Sequence, residues 1–281
     1  MSRLLRRLGM PATVALSVAV AAELWGLRAF RGLVRRDVQT LLREASRGET
    51  SVVTEEMLRG LPEPVQRYLR YTGVVGKPSV RSVRLRQQGR FRLAAGKPWM
   101  PLDAQEWYSV RPPGFVWDGT VRMGPVPIVR AQDAYHAGEG HMLVKAASLF
   151  TVADATGEEM DRGSMVRYLN EMMWFPSAFL EDNISFEAVD ATSADVTLTD
   201  HGRTATATMF FDSEGRLTNF VARRHFLVDG RFDLETWSTP ITSYGMFEGL
   251  RLPDKGKAVW NLADGDFEYI DVTIRELDYG A

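Results

Sequence analysis

The chain contains no cysteine. That excludes a disulfide scaffold, cysteine-ligated zinc, an iron–sulfur centre and thiol catalysis. Histidine is scarce as well, at His136, His141, His201 and His225. There is no Gly-x-Gly-x-x-Gly after a strand, no phosphate loop ending in Gly-Lys-Ser/Thr and no His-Glu-x-x-His pair. No Gly-x-Ser-x-Gly elbow occurs, and the surroundings of Ser164 lack that pattern. His136 and His141 lie five apart across a Gly-rich turn, but a metal there needs a third ligand such as Glu139 or Asp133. His201 and His225 read as turn and rim residues. No metal, no cofactor and no catalytic residue is expected.

What is present is an ordinary globular composition, with 45% hydrophobic and 25% charged residues in 281. The net charge of −2 hides an asymmetry. Residues 1–47 carry nine arginines against Glu23, Asp37 and Glu44, so the remainder is distinctly acidic. A basic arm on an acidic body predicts an anionic surface as partner for the arm. The body has one basic stripe, Arg84, Arg86, Arg90 and Arg92, without a stacking platform beside it. Nucleic acid is therefore not expected as a partner.

Within the arm, Met10 to Ala22 has no charged residue, and the apolar stretch from Leu8 to Leu27 is broken only by Glu23. A bilayer crossing needs about 20 apolar residues. Arg3, Arg6 and Arg7 precede it and Trp25 follows as an interfacial aromatic would. The favoured reading of residues 1–26 is an uncleaved N-terminal transmembrane helix. A cleaved signal peptide, with the small-x-small Ala19-Val20-Ala21, and a buried helix are the alternatives. The side of the membrane is not fixed, because arginines flank the span at both ends. In residues 27–47, Leu27, Phe30, Val34, Val38, Leu41 and Ala45 share one helical face, with Arg28, Arg31, Arg35, Arg36 and Arg43 mostly off it. Such an amphipathic helix either lies on an anionic membrane or packs on the body with its basic face in water.

Residues 27–79 thus comprise the basic amphipathic helix and a connector, in which Val65, Tyr68 and Leu69 predict a short helix ended by Gly73. From residue 80 to 281 the pattern is mainly strand. Val83, Leu85, Phe91 and Leu93 alternate with the four arginines at period two. Further strands are predicted over 103–111, 114–122, 126–136, 139–147, 183–189, 194–200, 203–212, 216–228, 231–244, 256–262 and 266–277. Asp229-Gly230 and Asp264-Gly265 signal tight reversals. Short links exclude a parallel sheet, and a sheet this wide must curl. One helix interrupts it, 161–175, closed by Pro176. The expected fold is mainly β: a large curved antiparallel sheet, a half-barrel, wrapped around that helix.

The helix carries the candidate site. Met165, Leu169, Met172 and Met173 recur on one face, and with Tyr168, Trp174 and Phe175 they are the candidate lining of an apolar ligand cavity. The favoured reading of the same face is core packing with the charges in water, Trp174 and Phe175 anchoring the end of the helix against the sheet. Glu159, Asp161, Glu171 and Asp182, close to aromatics, raise a second possibility, a carboxylate-dependent hydrolase or isomerase. Arg167 and Glu171 are four apart and read as a surface pair. A third possibility is an interaction protein without a pocket. Membrane lipid and an apolar small molecule are the expected partners, at a cell membrane; oligomeric state is left open.

The segments RYLNEMMWFPSAFLEDNISFEAVD and GRTATATMFFDSEGRLTNFVA, with the ending TPITSYGMFEGLRLPDKGKAVWNLADGDFEYIDVTIREL, resemble an uncharacterised family of bacterial membrane-anchored proteins. The resemblance covers about residues 60–278 and implies no activity. In shape alone, the strand pattern is similar to the half-barrel of periplasmic lipoprotein carriers, and fold by itself does not carry function.

Overall fold

The structure is a computed structural model. It describes the backbone of residues 2–45, 50–124, 126–228 and 231–280, and the side chains of these residues except 2–16, 19, 227 and 228. Three helices come first: α1 (Ser2–Ala45), α2 (Glu55–Leu58) and α3 (Glu63–Thr72). Six strands follow: β1 (Ser82–Phe91), β2 (Met100–Ser109), β3 (Gly114–Met123), β4 (Val126–His136), β5 (Glu139–Ala146) and β6 (Phe150–Ala155). Helix α4 (Glu158–Glu171) then leads through two 3₁₀ turns, Met172–Trp174 and Pro176–Leu180. Eight strands complete the chain: β7 (Ile184–Asp190), β8 (Ser193–Asp200), β9 (Arg203–Phe211), β10 (Leu217–Val228), β11 (Arg231–Ser238), β12 (Ile241–Phe247), β13 (Leu250–Leu262) and β14 (Gly265–Tyr279).

The fourteen strands among the described residues join one antiparallel sheet, in the order β6-β5-β4-β3-β2-β1-β14-β13-β11-β10-β9-β8-β7, with β12 branching off β13. The sheet curls around α4, which connects its two edges. This is the expected half-barrel. Four details differ. Residues 150–155 form a strand that was not expected. The single strand expected at 231–244 is two, because Thr239-Pro240 interrupts it and proline cannot donate to a ladder. The strand expected from 256 starts at Leu250. The helix expected over 161–175 begins at Glu158 and ends as α-helix at Glu171; the forced stop before Pro176 is taken up by the tighter 3₁₀ turns.

The basic stripe of β1 is neutralised by its neighbour. Arg84, Arg86 and Arg90 stand in register opposite Asp278, Glu276 and Asp271 of β14, at 3.7, 3.3 and 2.8 Å. Exposed pairs of this kind contribute ~0–1 kcal/mol each; their consequence is to cancel a basic surface rather than to brace the sheet.

One continuous helix, α1, stands where an anchor helix and a separate amphipathic helix were expected. Its C-terminal half packs on the outer face of the sheet, where Phe30, Val34 and Leu41 bury against Val116 and Leu143, with Trp107 and Ala134 alongside. Arg28, Arg31, Arg35, Arg36 and Arg43 are exposed. The helix leaves the body near Gly26, where a side chain would meet the Ser148 carbonyl at 2.5 Å. Before that point Val18, Val20, Leu24 and Trp25 are exposed, Trp25 at 71%. Among the described residues no helix is long and apolar enough to cross a membrane; most of the apolar stretch Met10–Ala22 falls on side chains outside the description. The connector is part of the body, since Val53, Leu58, Val65, Tyr68, Leu69 and Val74 join the main core cluster.

Candidate functional site

Helix α4 is fixed at both ends. At its start Asp161 accepts from the Gly140 amide at 2.8 Å and pairs with Arg203 at 3.2 Å. Gly140 is required there, because a Cβ would stand 2.6 Å from the Met160 carbonyl and the Ser164 hydroxyl. Past its end, Trp174 Nε1 donates to the Pro253 carbonyl at 3.0 Å, and Tyr279 donates to the Trp174 carbonyl at 2.6 Å. A helix held this way presents two faces to two environments. Met165, Tyr168, Leu169 and Met172, with Phe175 beyond, are buried in the packed core. Tyr168 donates to the Ser109 carbonyl at 3.0 Å, and Phe175 lies 4.9 Å from Tyr108 ring to ring. The other face, with Met160, Arg167, Asn170 and Glu171, turns to a cavity of about 460 Å³.

Of the seven candidates for the lining of a cavity, Met173 and Trp174 do line it; the other five are core and do not. The remaining walls come from the sheet. Phe91, Leu102, Val121, Val129, Val144, Ile270 and Val272 supply aliphatic and aromatic surface, and Trp117, Trp237 and Trp260 add three indoles. Most of the lining is apolar, and the polar groups concentrate in two places.

The first is a row across three neighbouring strands. Glu106 of β2, Trp117 of β3 and Asp133 of β4 oppose one another in register. Gly119 makes room for the Trp117 ring, since a Cβ there would sit 2.0 Å from it. Arg167 reaches this row from the helix. It donates to Glu106 at 2.7 Å, to Asp133 at 2.7 Å and to Glu171, one turn along, at 2.9 Å. Its guanidinium lies 4.8 Å from the Phe115 ring centre and 5.3 Å from that of Trp117. Tyr108 donates to the second Glu171 oxygen at 3.1 Å, and Gln87 to the second Glu106 oxygen at 3.2 Å. Trp117 Nε1 donates in turn to Gln87 at 3.2 Å. Within this network Asp133 Oδ1 is buried without a hydrogen-bond partner among the described residues.

Three carboxyl groups around one guanidinium cannot all be ionised at low cost. Burial, reinforced by Glu171, pushes the Glu106 carboxyl well above the usual glutamate value despite Arg167. Desolvation opposes the charge on Arg167, but the surrounding acids outweigh it and hold it protonated. Burial, with Glu106 and Glu171, raises Tyr108 as well. Arg167 and Glu171, expected as a surface pair, are thus the centre of a buried network.

The second polar place is Arg224 of β10. Its Nε donates to the Gly163 carbonyl at 3.1 Å, and its guanidinium carbon lies 5.0 and 5.9 Å from the ring centres of Trp237 and Trp260. Sequence reading missed Glu106 and Arg224, and offered Asp133 only as a third metal ligand. The signal for Glu106 was present: it interrupts the inward phase Leu102, Ala104, Tyr108 of β2.

The other expected candidates go elsewhere. Glu159 and Asp182 are exposed, and Asp161 is buried but serves the helix start. His136 pairs with Glu44 and His141 with Asp154, each at 2.8 Å, so the two histidines do not converge. Among the described residues no group of three or more His, Asp or Glu is placed to hold a metal.

No curated protein sequence matches the chain. Two solved structures are similar. A LolA superfamily protein from Nitrosomonas europaea aligns at 10% identity and TM-score 0.42, over 81% of this chain and 94% of its own. A DUF1329 family protein from Desulfovibrio piger aligns at 10% identity and TM-score 0.38, over 78% of this chain and 92% of its own. The model of the family of unknown function DUF6544 matches residues 51–272, most of the body just described, and the chain belongs to that family.

Proposed function

We propose that the half-barrel binds one apolar or lipid-like molecule inside the sheet, and that α1 holds it at a membrane. The observation that carries the reading is the cavity: about 460 Å³, walled by aliphatic side chains and four tryptophans, Trp117, Trp174, Trp237 and Trp260. Small-molecule sites have volumes of ~300–1,000 Å³ and the same mostly apolar character with a few placed polar groups. An open cavity counts against a purely packed interaction module.

Two observations support the membrane. Exposed Val18, Val20, Leu24 and Trp25 precede the point where α1 meets the body, with arginines immediately after. In addition, alternate turns of an antiparallel meander lie at one end of the sheet, so the β1–β2, β3–β4 and β5–β6 hairpins share an end. Leu93, Met123, Val126 and Phe150 are exposed there, beside the Ser148 contact of α1. Clustered exposed apolar surface of this kind marks a membrane or protein contact.

The convergence of Asp133 and Glu171 on the cavity favours a second reading, a carboxylate-dependent hydrolase or isomerase. Binding is preferred because both oxygens of Glu106 and both of Glu171 already accept from protein donors. Turnover of an apolar ester by the wild type and not by Asp133→Asn would establish the enzyme instead.

The binding test uses delipidated full-length protein and the neutral probe N-phenyl-1-naphthylamine. Saturable one-to-one binding with energy transfer from tryptophan is expected. Filling the cavity by Ala131→Trp or Ala153→Trp should abolish it while the far-ultraviolet circular dichroism is unchanged. Absence of saturable binding, or binding indifferent to both fillings, would sink the reading.

A further inference from the structure

We infer that the cavity occupant carries an anionic head, a carboxylate or a phosphate, seated on Arg224. This rests on the binding reading above and adds the chemical class of the ligand. The two arginines on the cavity wall are treated differently by the fold. Arg167 has three acidic partners and uses Nε, Nη1 and Nη2. Arg224 uses Nε alone, on the Gly163 carbonyl. Among the described residues its Nη1 and Nη2 have no hydrogen-bond acceptor, and no carboxylate stands within ion-pair distance.

A guanidinium in an apolar, tryptophan-walled cavity without a counter-ion is costly, and an anionic ligand removes that cost. The group is also oriented in advance. The Gly163 bond and the faces of Trp237 and Trp260 fix its plane, and Trp237 is itself held by its Nε1 bond to Tyr269 at 3.1 Å. Two nitrogens left free on one fixed guanidinium match the two oxygens of a carboxylate or phosphate.

The neighbourhood agrees. Asn170 on the facing helix accepts from Thr239 at 2.6 Å through Oδ1, and its Nδ2 has no acceptor among the described residues. Lys255, Lys257 and His225 also line the cavity; Lys257 is paired with Glu268 at 2.9 Å. The acids on the wall are engaged elsewhere: Asp254 with Ser243, and Asp133 and Glu171 with Arg167. The cavity is therefore acidic around Arg167 and basic around Arg224, and an amphiphile is directed by that difference.

The test displaces N-phenyl-1-naphthylamine with compounds of one chain length and different heads: dodecanoate, dodecyl phosphate, dodecanol and dodecylamine. On wild type at mildly alkaline pH, at least one anion is expected to compete about tenfold or more better than dodecanol, and dodecylamine worst. Which anion gains more distinguishes a carboxylate from a phosphate head. Arg224→Gln should bring the anions to the level of dodecanol measured on the same variant, and Arg224→Lys should keep part of the advantage. Equal competition by anions and alcohol on wild type, or an advantage that survives Arg224→Gln, would overturn the inference and leave apolar binding intact. Failure of the neutral probe to bind wild type would overturn both. A measurement independent of the variants is nuclear magnetic resonance of carboxyl-labelled dodecanoate. Bound to wild type it should stay ionised to lower pH than when free, and the opposite displacement would contradict a guanidinium partner.

Discussion

Arg167 of α4 donates to Glu106 of β2 at 2.7 Å across 61 positions of sequence, and no side chain of Glu106 reaches solvent. That bond and its two companions tie the helix to the sheet through the wall of the cavity. Removing the guanidinium leaves Glu106, Asp133 and Glu171 buried around one another. Breaking a buried ion pair from one side costs about 3–5 kcal/mol. Arg167→Gln is therefore expected to lower the thermal midpoint sharply. Arg167→Lys should be nearly as damaging, since one ammonium cannot replace three bonds from a planar fork. A midpoint within the scatter of wild type for both would show that the network contributes nothing.

The same cluster makes stability depend on pH. The folded Glu106 carboxyl titrates well above 4.5, its value when the chain is open. Between those two points the folded state holds a proton that the unfolded state has released. Stability from this group is thus complete below 4.5 and is lost as pH rises through the folded value, by up to about 1.4 kcal/mol per unit. Denaturant melts across the acidic to neutral range should show this fall in wild type. Glu106→Gln, which has no proton to lose, should flatten it; an unchanged slope would place the proton elsewhere.

Trp174 and Phe175 are adjacent but face different surroundings. Phe175 is fully buried against Tyr108 and Tyr168. Phe175→Ala should cost about 3–5 kcal/mol, as deletions of core aromatics do. Trp174 is buried as well but also lines the cavity, so Trp174→Ala should weaken the neutral probe in addition to stability. Thermal unfolding read beside probe titration separates the two, and the reverse pattern would mean that the helix end is turned the other way.

The absence of native cysteine allows single labels to report orientation. Leu93→Cys and Phe150→Cys lie at the hairpin end near Ser148, and Ser213→Cys lies at the β9–β10 turn. Carrying an environment-sensitive dye in vesicles, the first two should be quenched by spin-labelled lipid and the third by an aqueous quencher. Equal aqueous quenching at all three would remove the membrane contact.

The half-barrel was legible because alternation and turns are local. Val83 and Leu85 against Arg84 and Arg86, Asp264-Gly265 at a reversal, and Pro176 after a helix each carry their own signal. β6 was illegible for the opposite reason: Phe150 and Val152 are 70% and 66% exposed on an edge strand, so no buried face stamped a pattern on the sequence. The methionine face of α4 was read correctly as apolar, with both a core and a cavity open to it, and most of it is core, since periodicity says that a face is covered and not by what. The network around Arg167 joins residues 61 and 34 positions away, and only the strand register Glu106–Trp117–Asp133 brings them together.

The two edges of the sheet, β6 and β7, are the strands that α4 connects. The helix is therefore a strut across the open side of the curl. Its fourteen residues span about 21 Å at ~1.5 Å each, a length that side-chain rearrangement cannot alter. Because Asp161 clamps one end to Gly140 and Trp174 the other to Pro253, the sheet cannot flare without breaking a clamp. A longer occupant has to protrude from the hairpin end instead of swelling the enclosure, so affinity should level off with chain length once the interior is full.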